Sequence, residues 1–154
     1  MLGTYLPCLI FQVECLEPLE RRWFLDSGCS RHMTGDISLF FDFVAKKKGF
    51  VTYGDNNKGE ILGKGSVGNP SSTTISNVLL VEGLKHNIIS ISQLCDKGYK
   101  IYFLKDECII EHNYKKEDVF KGLRVNNVYM LDLNDVSLTG AKCLVTMSED
   151  SSWL

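Results

Sequence analysis

The sequence lacks both an excess of positive charge and any long hydrophobic run. Its 154 residues carry 17 Lys and Arg against 19 Asp and Glu, a formal net charge of −2. Proteins that bind nucleic acid by neutralising phosphates are usually basic, so we expect no nucleic-acid binding by this domain. The longest apolar stretch, residues 6–11, is far below the ~20 residues that span a bilayer, and no Lys or Arg precedes it as in a signal peptide. These absences favour a soluble, non-secreted domain with no membrane partner.

The sequence also lacks any Cys-x-x-Cys pair, although it contains six cysteines. Disulfide scaffolds are usually shorter, secreted and denser in cysteine. We therefore expect reduced thiols, several of them buried as small apolar side chains. The cysteines are Cys8, Cys15, Cys29, Cys95, Cys108 and Cys143.

Short β-prone runs, separated by Gly and Asn/Asp clusters, begin at Trp23. This pattern predicts an all-β fold, a small closed β-barrel with one or two short helices. The predicted helices are residues 37–43, capped by Asp36, and residues 91–97, capped by Ser90 and ended by Gly98. The predicted strands cover residues 23–25, 49–53, 60–62, 73–81, 99–104, 108–111 and 128–133.

The most informative motif is Asp26-Ser27-Gly28, which follows the apolar run Trp23–Leu25. Asp-Ser-Gly is also ordinary turn chemistry and occurs by chance in many chains. In an aspartic protease, however, a carboxylate at a strand end is followed by Ser or Thr and Gly so that two such loops can meet. Two carboxylates held close together share one proton: the ionised member activates a water, and the protonated member polarises the scissile carbonyl.

A glycine-containing hairpin is predicted over residues 51–65, with its turn around residues 55–59. The simplest interpretation is a β-hairpin without further function. The functional interpretation is a flap, a mobile hairpin that closes over an extended peptide and excludes water.

Three blocks together resemble a known family. WFLDSGCSRHMTG (23–35), VTYGDNNKGEILGKG (51–65) and NVLLVEGLKHNIISISQLCDKGY (77–99) are similar to the retropepsin-like protease region of copia-type LTR-retrotransposon Gag-Pol polyproteins. The resemblance covers residues 23–111, with the three blocks in the family's order. It extends more weakly to residues 128–133, which in that family link the protease to a pre-integrase zinc-binding segment.

The resemblance implies an aspartic endopeptidase of retropepsin-like barrel fold that acts as a homodimer without a cofactor. Asp26 would be the catalytic carboxylate, with Ser27 and Gly28 completing its loop. Tyr53, Gly54 and Asp55 would lie on the substrate-binding flap. The substrate would be the element's own Gag-Pol polyprotein, cleaved in the cytoplasm within virus-like particles. The implied organisation is a leader (1–21), the barrel (22–112), and the start of a linker toward the zinc segment (113–154).

Two positions depart from related sequences. Cys29 stands where many retropepsins have Ala after the Gly, and Ser90 stands where retroviral members have Gly after two Ile. The second departure supports an alternative, a catalytically inactive β-barrel fragment that persists as a relic or a binding module.

A zinc site is the second alternative. Cys29 with His32, and Cys108 with His112, have ligand-like spacings. Most of the barrel separates the two pairs along the chain, and Cys29 adjoins the proposed catalytic loop. We therefore expect buried thiols and surface histidines at these positions, and no metal.

Overall fold

The computed structural model describes residues 21–53, 56–71, 73–115 and 119–133. Within these ranges the chain consists mainly of strands, with one short helix and a 3-10 turn at Ile37–Leu39, so the all-β class is confirmed. In chain order the elements are β1 (Trp23–Asp26), β2 (Met33–Thr34), β3 (Phe40–Ala45), β4 (Phe50–Tyr53), β5 (Asn57–Gly68), β6 (Thr74–Val81), β7 (Asn87–Ser90), α1 (Ile91–Asp96), β8 (Tyr99–Phe103), β9 (Glu107–His112), β10 (Val119–Val125) and β11 (Val128–Leu131).

The strands form one barrel-like sheet that remains open. Its order is β3-β5-β6-β2-β7-β1-β11-β10-β9-β8, and β4 pairs with β5 beside this path. We expected a closed barrel, but no ladder joins β3 to β8 within the described residues. Most side chains of β3 and β8 are exposed, as befits sheet edges that face solvent rather than each other.

The centre of the sheet is built around β7, which lies between β1 and β2. It runs parallel to β1 and antiparallel to β2. A parallel pair requires a long crossover connection, here provided by residues 27–86. Trp23 and Ile89 are both fully buried, which agrees with the apolar character of strands covered on both faces.

The short helix forms as its capping residues predict. The Ser90 Oγ accepts a hydrogen bond from the Gln93 amide at 3.1 Å, which satisfies a donor of the first turn of α1. Gly98 follows the helix with a φ of 93°, a left-handed conformation in which glycine is favoured. Both the predicted cap and the predicted stop are confirmed.

The other predicted helix is shorter than expected. Asp36 does act as an N-cap, because its Oδ1 accepts a hydrogen bond from the Ser38 amide at 2.9 Å. The helical segment ends at Leu39, however, and not at residue 43. From Phe40 onward the chain pairs with β5, and the ladder hydrogen bonds of that pairing replace those of a helix.

The sheet extends beyond residue 112, where we expected the barrel to end. β11 pairs with β1, with Trp23 opposite Leu131, and β10 joins β11 to β9. The segment after residue 112 thus contributes strands to the sheet before any linker begins. Most of the predicted leader and the end of the predicted linker, residues 1–20 and 134–154, lie outside the described residues. No helix in the described ranges is long and apolar enough to cross a membrane.

Two clusters of apolar side chains form the core. The larger one includes Trp23, Ile89, Leu94 and Leu131 and joins β1, β7, α1 and β11. The smaller one consists of Met33, Ile61, Leu79 and Val81, between β2, β5 and β6. Partly buried Cys29 and Tyr53 pack against the smaller cluster, so it supports both the Asp26 loop and the predicted flap.

Candidate active site

Asp26 lies at the carboxyl end of β1, at the point where the chain leaves the sheet. Its neighbour in the parallel ladder is Ser90, the last residue of β7. The chain then turns through Ser27 and Gly28 and re-enters the sheet as β2, on the other side of β7. The predicted loop is therefore held at both ends by the same central strand.

The Asp26 carboxylate is oriented by its own loop. Oδ1 accepts a hydrogen bond from the Gly28 amide at 2.7 Å, and Oδ2 accepts one from the Cys29 thiol at 3.4 Å. A Cβ placed on Gly28 would lie 3.3 Å from Oδ1, closer than an ordinary van der Waals contact. A larger residue at this position would therefore require a small shift of the carboxylate.

Beneath the loop lies a set of buried polar groups that bond to one another. The Ser90 Oγ donates to the Cys29 carbonyl at 2.6 Å, and the Ser90 amide donates to the His32 Nδ1 at 2.9 Å. The His32 amide donates to the Gln93 Oε1 at 2.8 Å. These bonds tie the loop to β7 and α1 through side chains that are buried or partly buried, where an unsatisfied polar group would be costly.

His32 is buried, although we expected surface histidines. Only 1% of its surface is exposed. Burial, and secondarily the nearby positive charge of Arg31, lowers the pKa of His32 to about 4. The ring is therefore neutral at pH 7, which suits Nδ1 as the acceptor from the Ser90 amide.

A second buried pair continues this support toward the start of β1. The Thr34 hydroxyl donates to the Asn87 Oδ1 at 2.6 Å, and the Asn87 Nδ2 donates to the Arg22 carbonyl at 3.1 Å. Thr34 and Asn87 are both buried. The pair links β2 and β7 to the residue before β1, so the three strands around the loop are fixed relative to each other.

Above the loop is an open cleft of about 530 Å³, a size typical of ligand sites. The structure brings Asp26 and Tyr53 together as lining residues, although they are far apart in the sequence. Gly54 and Asp55, the other predicted flap residues, lie outside the described residues. The cleft is lined by Asp26, Cys29, Tyr53, Asn57, Gly83, Leu84, Lys85, His86 and Ile88.

The predicted hairpin is present at the edge of this cleft. β4 and β5 pair in antiparallel register, with Tyr53 opposite Asn57, and Asn56 adopts a φ of 63° in the turn. Gly59 allows this hairpin to pack closely, since a Cβ there would lie 2.8 Å from the Glu82 carbonyl oxygen. The connection lies between Tyr53 and Asn57, earlier than the predicted turn at residues 55–59, because residues 57–59 already pair with β4.

Sequence reasoning missed several residues that shape the site. Lys85 and His86 also line the cleft, and the His86 ring packs edge-on against Phe24 of β1 at 5.2 Å. Ser90 was recognised as a helix cap and as a departure from Gly, but not as a support for the Asp26 loop. Its bond to the Cys29 carbonyl depends on β1–β7 pairing across more than 60 residues, for which the sequence contains no local signal.

Three of the side chains considered as zinc ligands form other contacts in the structure. The Cys29 thiol donates to Asp26, and the His32 Nδ1 accepts from Ser90. Cys108 is buried in the larger apolar cluster. Within the described ranges, no group of three or more His, Cys, Asp or Glu side chains could hold a metal ion.

Comparison with known families agrees with this architecture. The family model for the β-barrel domain of Pol polyproteins matches residues 23–99, which run from the start of β1 to the first residue of β8. The chain belongs to the Pol polyprotein β-barrel domain family. The matched region contains the Asp26 loop, the hairpin and β7. No curated protein and no solved structure matches the chain.

Proposed function

We propose that this Pol polyprotein β-barrel domain is an aspartic endopeptidase that acts as a homodimer. The observation that carries the proposal is the position of Asp26. It lies at a strand end in an Asp-Ser-Gly loop and lines the same cleft as Tyr53 of the hairpin. A carboxylate beside a hairpin, in a cleft large enough for a peptide segment, is one half of the arrangement that an aspartic protease requires.

A second copy of the chain supplies the second carboxylate. The sequence contains a single Asp-Ser-Gly, and one copy cannot form a catalytic pair. Two loops related by a twofold axis bring Asp26 of one protomer to its counterpart, where the pair holds one proton. The active site is thus complete only in the dimer.

The chemistry needs no cofactor. The ionised Asp26 takes a proton from a water, whose oxygen attacks the scissile carbonyl carbon, while the protonated Asp26 gives its proton to the carbonyl oxygen. The C–N bond of the tetrahedral intermediate then breaks as the Asp26 that took the water proton gives it to the amine nitrogen, and the other Asp26 takes a proton from a hydroxyl of the intermediate. The products are a carboxylic acid and an amine, and the pair returns to its shared-proton state.

The substrate class is an extended polypeptide, and the natural substrate is the Gag-Pol polyprotein of a copia-type element. The hairpin closes over the chain and excludes water, while Leu84 and Ile88 supply apolar surface in the cleft. Cleavage takes place in the cytoplasm, within the element's virus-like particles.

The test compares wild type, Asp26→Asn and Asp106→Asn on a diverse peptide mixture between about pH 4 and 7, where a carboxylate pair can hold one proton. Asp106→Asn is the matched control, because Asp106 is an exposed residue of the β8–β9 turn, outside the cleft. We expect specific cuts with wild type and the control, and at least about 100-fold slower cleavage with Asp26→Asn. Mass spectrometry identifies the cleavage sites, and analytical ultracentrifugation measures the fraction of protein that is dimeric.

Two outcomes would overturn the proposal. Equal cleavage by wild type and Asp26→Asn would assign the activity to another protein or another residue. A folded wild-type protein that makes no cuts at concentrations where it dimerises would favour the alternative, an inactive β-barrel that serves as a binding module.

A further inference from the structure

Cys29 contacts the proposed catalytic carboxylate directly. Its sulfur lies 3.4 Å from the Asp26 Oδ2, while the Gly28 amide occupies Oδ1. These two donors act on different oxygens. The amide is part of the backbone and is present with any residue except proline at position 28, whereas the thiol depends on the residue type at position 29.

Two contacts anchor the residue that carries the thiol. The carbonyl of Cys29 accepts the Ser90 hydroxyl at 2.6 Å, and Ser90 is fully buried. The Cys29 side chain also packs against the cluster of Met33, Ile61, Leu79 and Val81. The backbone of Cys29 is therefore anchored to β7, and its side chain is partly buried where the sulfur meets Asp26.

The thiol is a donor in this environment and a poor nucleophile. Burial raises the pKa of the Cys29 thiol to about 11, and the hydrogen bond to Asp26 and its negative charge act in the same direction. Throughout the acidic range in which a carboxylate pair works, the sulfur keeps its proton. A proton on sulfur is what a hydrogen bond to the carboxylate requires.

The geometry points to Cys29 as a positioning residue that orients the Oδ2 of Asp26. This role deepens the proposed protease function and rests on it. The other titratable side chains lining the cleft are Tyr53 from the hairpin and Lys85 and His86 from the β6–β7 loop. Among the described residues, Cys29 is the side chain that hydrogen bonds to Asp26.

The first test detects the contact between Cys29 and Asp26 and does not depend on protease activity. The Asp26 carboxylate contributes to the raised pKa of the Cys29 thiol. Replacing it by an amide in Asp26→Asn should therefore lower that pKa. At pH 8 we expect iodoacetamide to alkylate Cys29 up to about tenfold faster in this variant than in wild type. The exposed Cys95 is the internal control, and peptide mass spectrometry separates the two sites.

The second test separates kcat from KM. We expect Cys29→Ala to lower kcat by about two- to tenfold and to leave KM nearly unchanged, because the Oδ2 of Asp26 loses the hydrogen-bond donor that orients it. Cys29→Ser keeps an O–H donor and should restore most of the wild-type kcat. Thermal unfolding confirms that both variants are folded.

The outcomes separate the two proposals. If Cys29 alkylation is unchanged by Asp26→Asn relative to Cys95, the contact does not operate in solution and the role of Cys29 is overturned. The same follows if Cys29→Ser lowers kcat as much as Cys29→Ala does, because the effect would then not depend on a donor at position 29. If wild type cleaves nothing but the alkylation rates respond to Asp26→Asn, the protease proposal fails while the coupling stands.

Discussion

The two sides of the Asp26 loop differ in how their polar groups are used. On the underside, Ser90, His32 and Thr34 are buried, and each bonds to a partner within the chain. On the cleft side, Lys85 and His86 are exposed and border open space. The difference assigns separate tasks to the two sides. The underside holds the loop in place, and the cleft side retains polar groups that a ligand can use.

This contrast leads to a simple expectation. Substitutions on the underside should reduce the stability of the fold and change catalysis only through it. Substitutions on the cleft side should change substrate binding or turnover while leaving the free energy of unfolding nearly unchanged. The predictions that follow test each half of this expectation.

The largest effect on stability is expected from Trp23→Ala. Trp23 is 1% exposed and belongs to the larger core cluster, at the start of the strand that carries Asp26. Removing the indole leaves a cavity between β1, β7 and β11, and we expect a loss of about 3–5 kcal/mol in the free energy of unfolding. Urea denaturation measures the change.

Phe50→Ala provides the matched control for Trp23→Ala. Phe50 is also an aromatic strand residue, but it lies on the hairpin and is 68% exposed. We expect its substitution to change the free energy of unfolding by less than about 0.5 kcal/mol. Equal losses in the two variants would contradict the expectation that the buried core around β1 contributes more to stability than the exposed face of the hairpin.

The second prediction concerns acid. The pKa of His32 is about 4 in the folded protein and about 6.5 when unfolded, so the unfolded chain takes up its proton first as the pH falls. The stabilisation from neutral His32 is complete above about pH 6.5 and is lost toward pH 4. We expect this residue to account for about 2–3 kcal/mol of the loss over that interval.

His32→Asn isolates this contribution. Asn retains an acceptor near the position of Nδ1 for the Ser90 amide but does not titrate. Denaturation curves between pH 4 and 7 should be flatter for this variant than for wild type. His86→Asn, on the cleft side, should follow the wild-type curve, and a flattening of similar size there would show that burial of His32 is not the cause.

Local signals in the sequence account for much of this site. The Asp26 turn, the hairpin with its Asn-rich turn, and the Ser90 cap all follow from short-range preferences of a few neighbouring residues. The all-β class follows from the spacing of short apolar runs. These features depend on contacts between residues that are close in sequence, which is why they can be predicted.

The remaining features depend on long-range pairing. The placement of β11 beside β1 joins residues more than 100 positions apart, and it extends the sheet past residue 112. The same applies to His32. One histidine beside a turn gives no sign of burial, and only the packing of β2 and β7 around it makes its ring neutral and its Nδ1 an acceptor.

The smallest expected effect, and the one that defines the cleft side most sharply, comes from Tyr53→Phe. Tyr53 lines the cleft opposite Gly83, and none of the hydrogen bonds formed by the described residues involves its hydroxyl. Removing that hydroxyl should change the free energy of unfolding by less than about 0.5 kcal/mol. If the hydroxyl contacts a bound peptide, KM should rise by about two- to tenfold, the value of one hydrogen bond.

Tyr102→Phe is the matched control for Tyr53→Phe. The Tyr102 hydroxyl donates to the Glu111 Oε1 at 3.3 Å on the β8–β9 hairpin, away from the cleft. Its loss should leave KM unchanged. A rise in KM with Tyr53→Phe alone would assign the hairpin to substrate binding. Identical kinetics in both variants would show that the Tyr53 hydroxyl does not contact the substrate. Substrate recognition would then be assigned to other residues that line the cleft, such as Lys85 and His86.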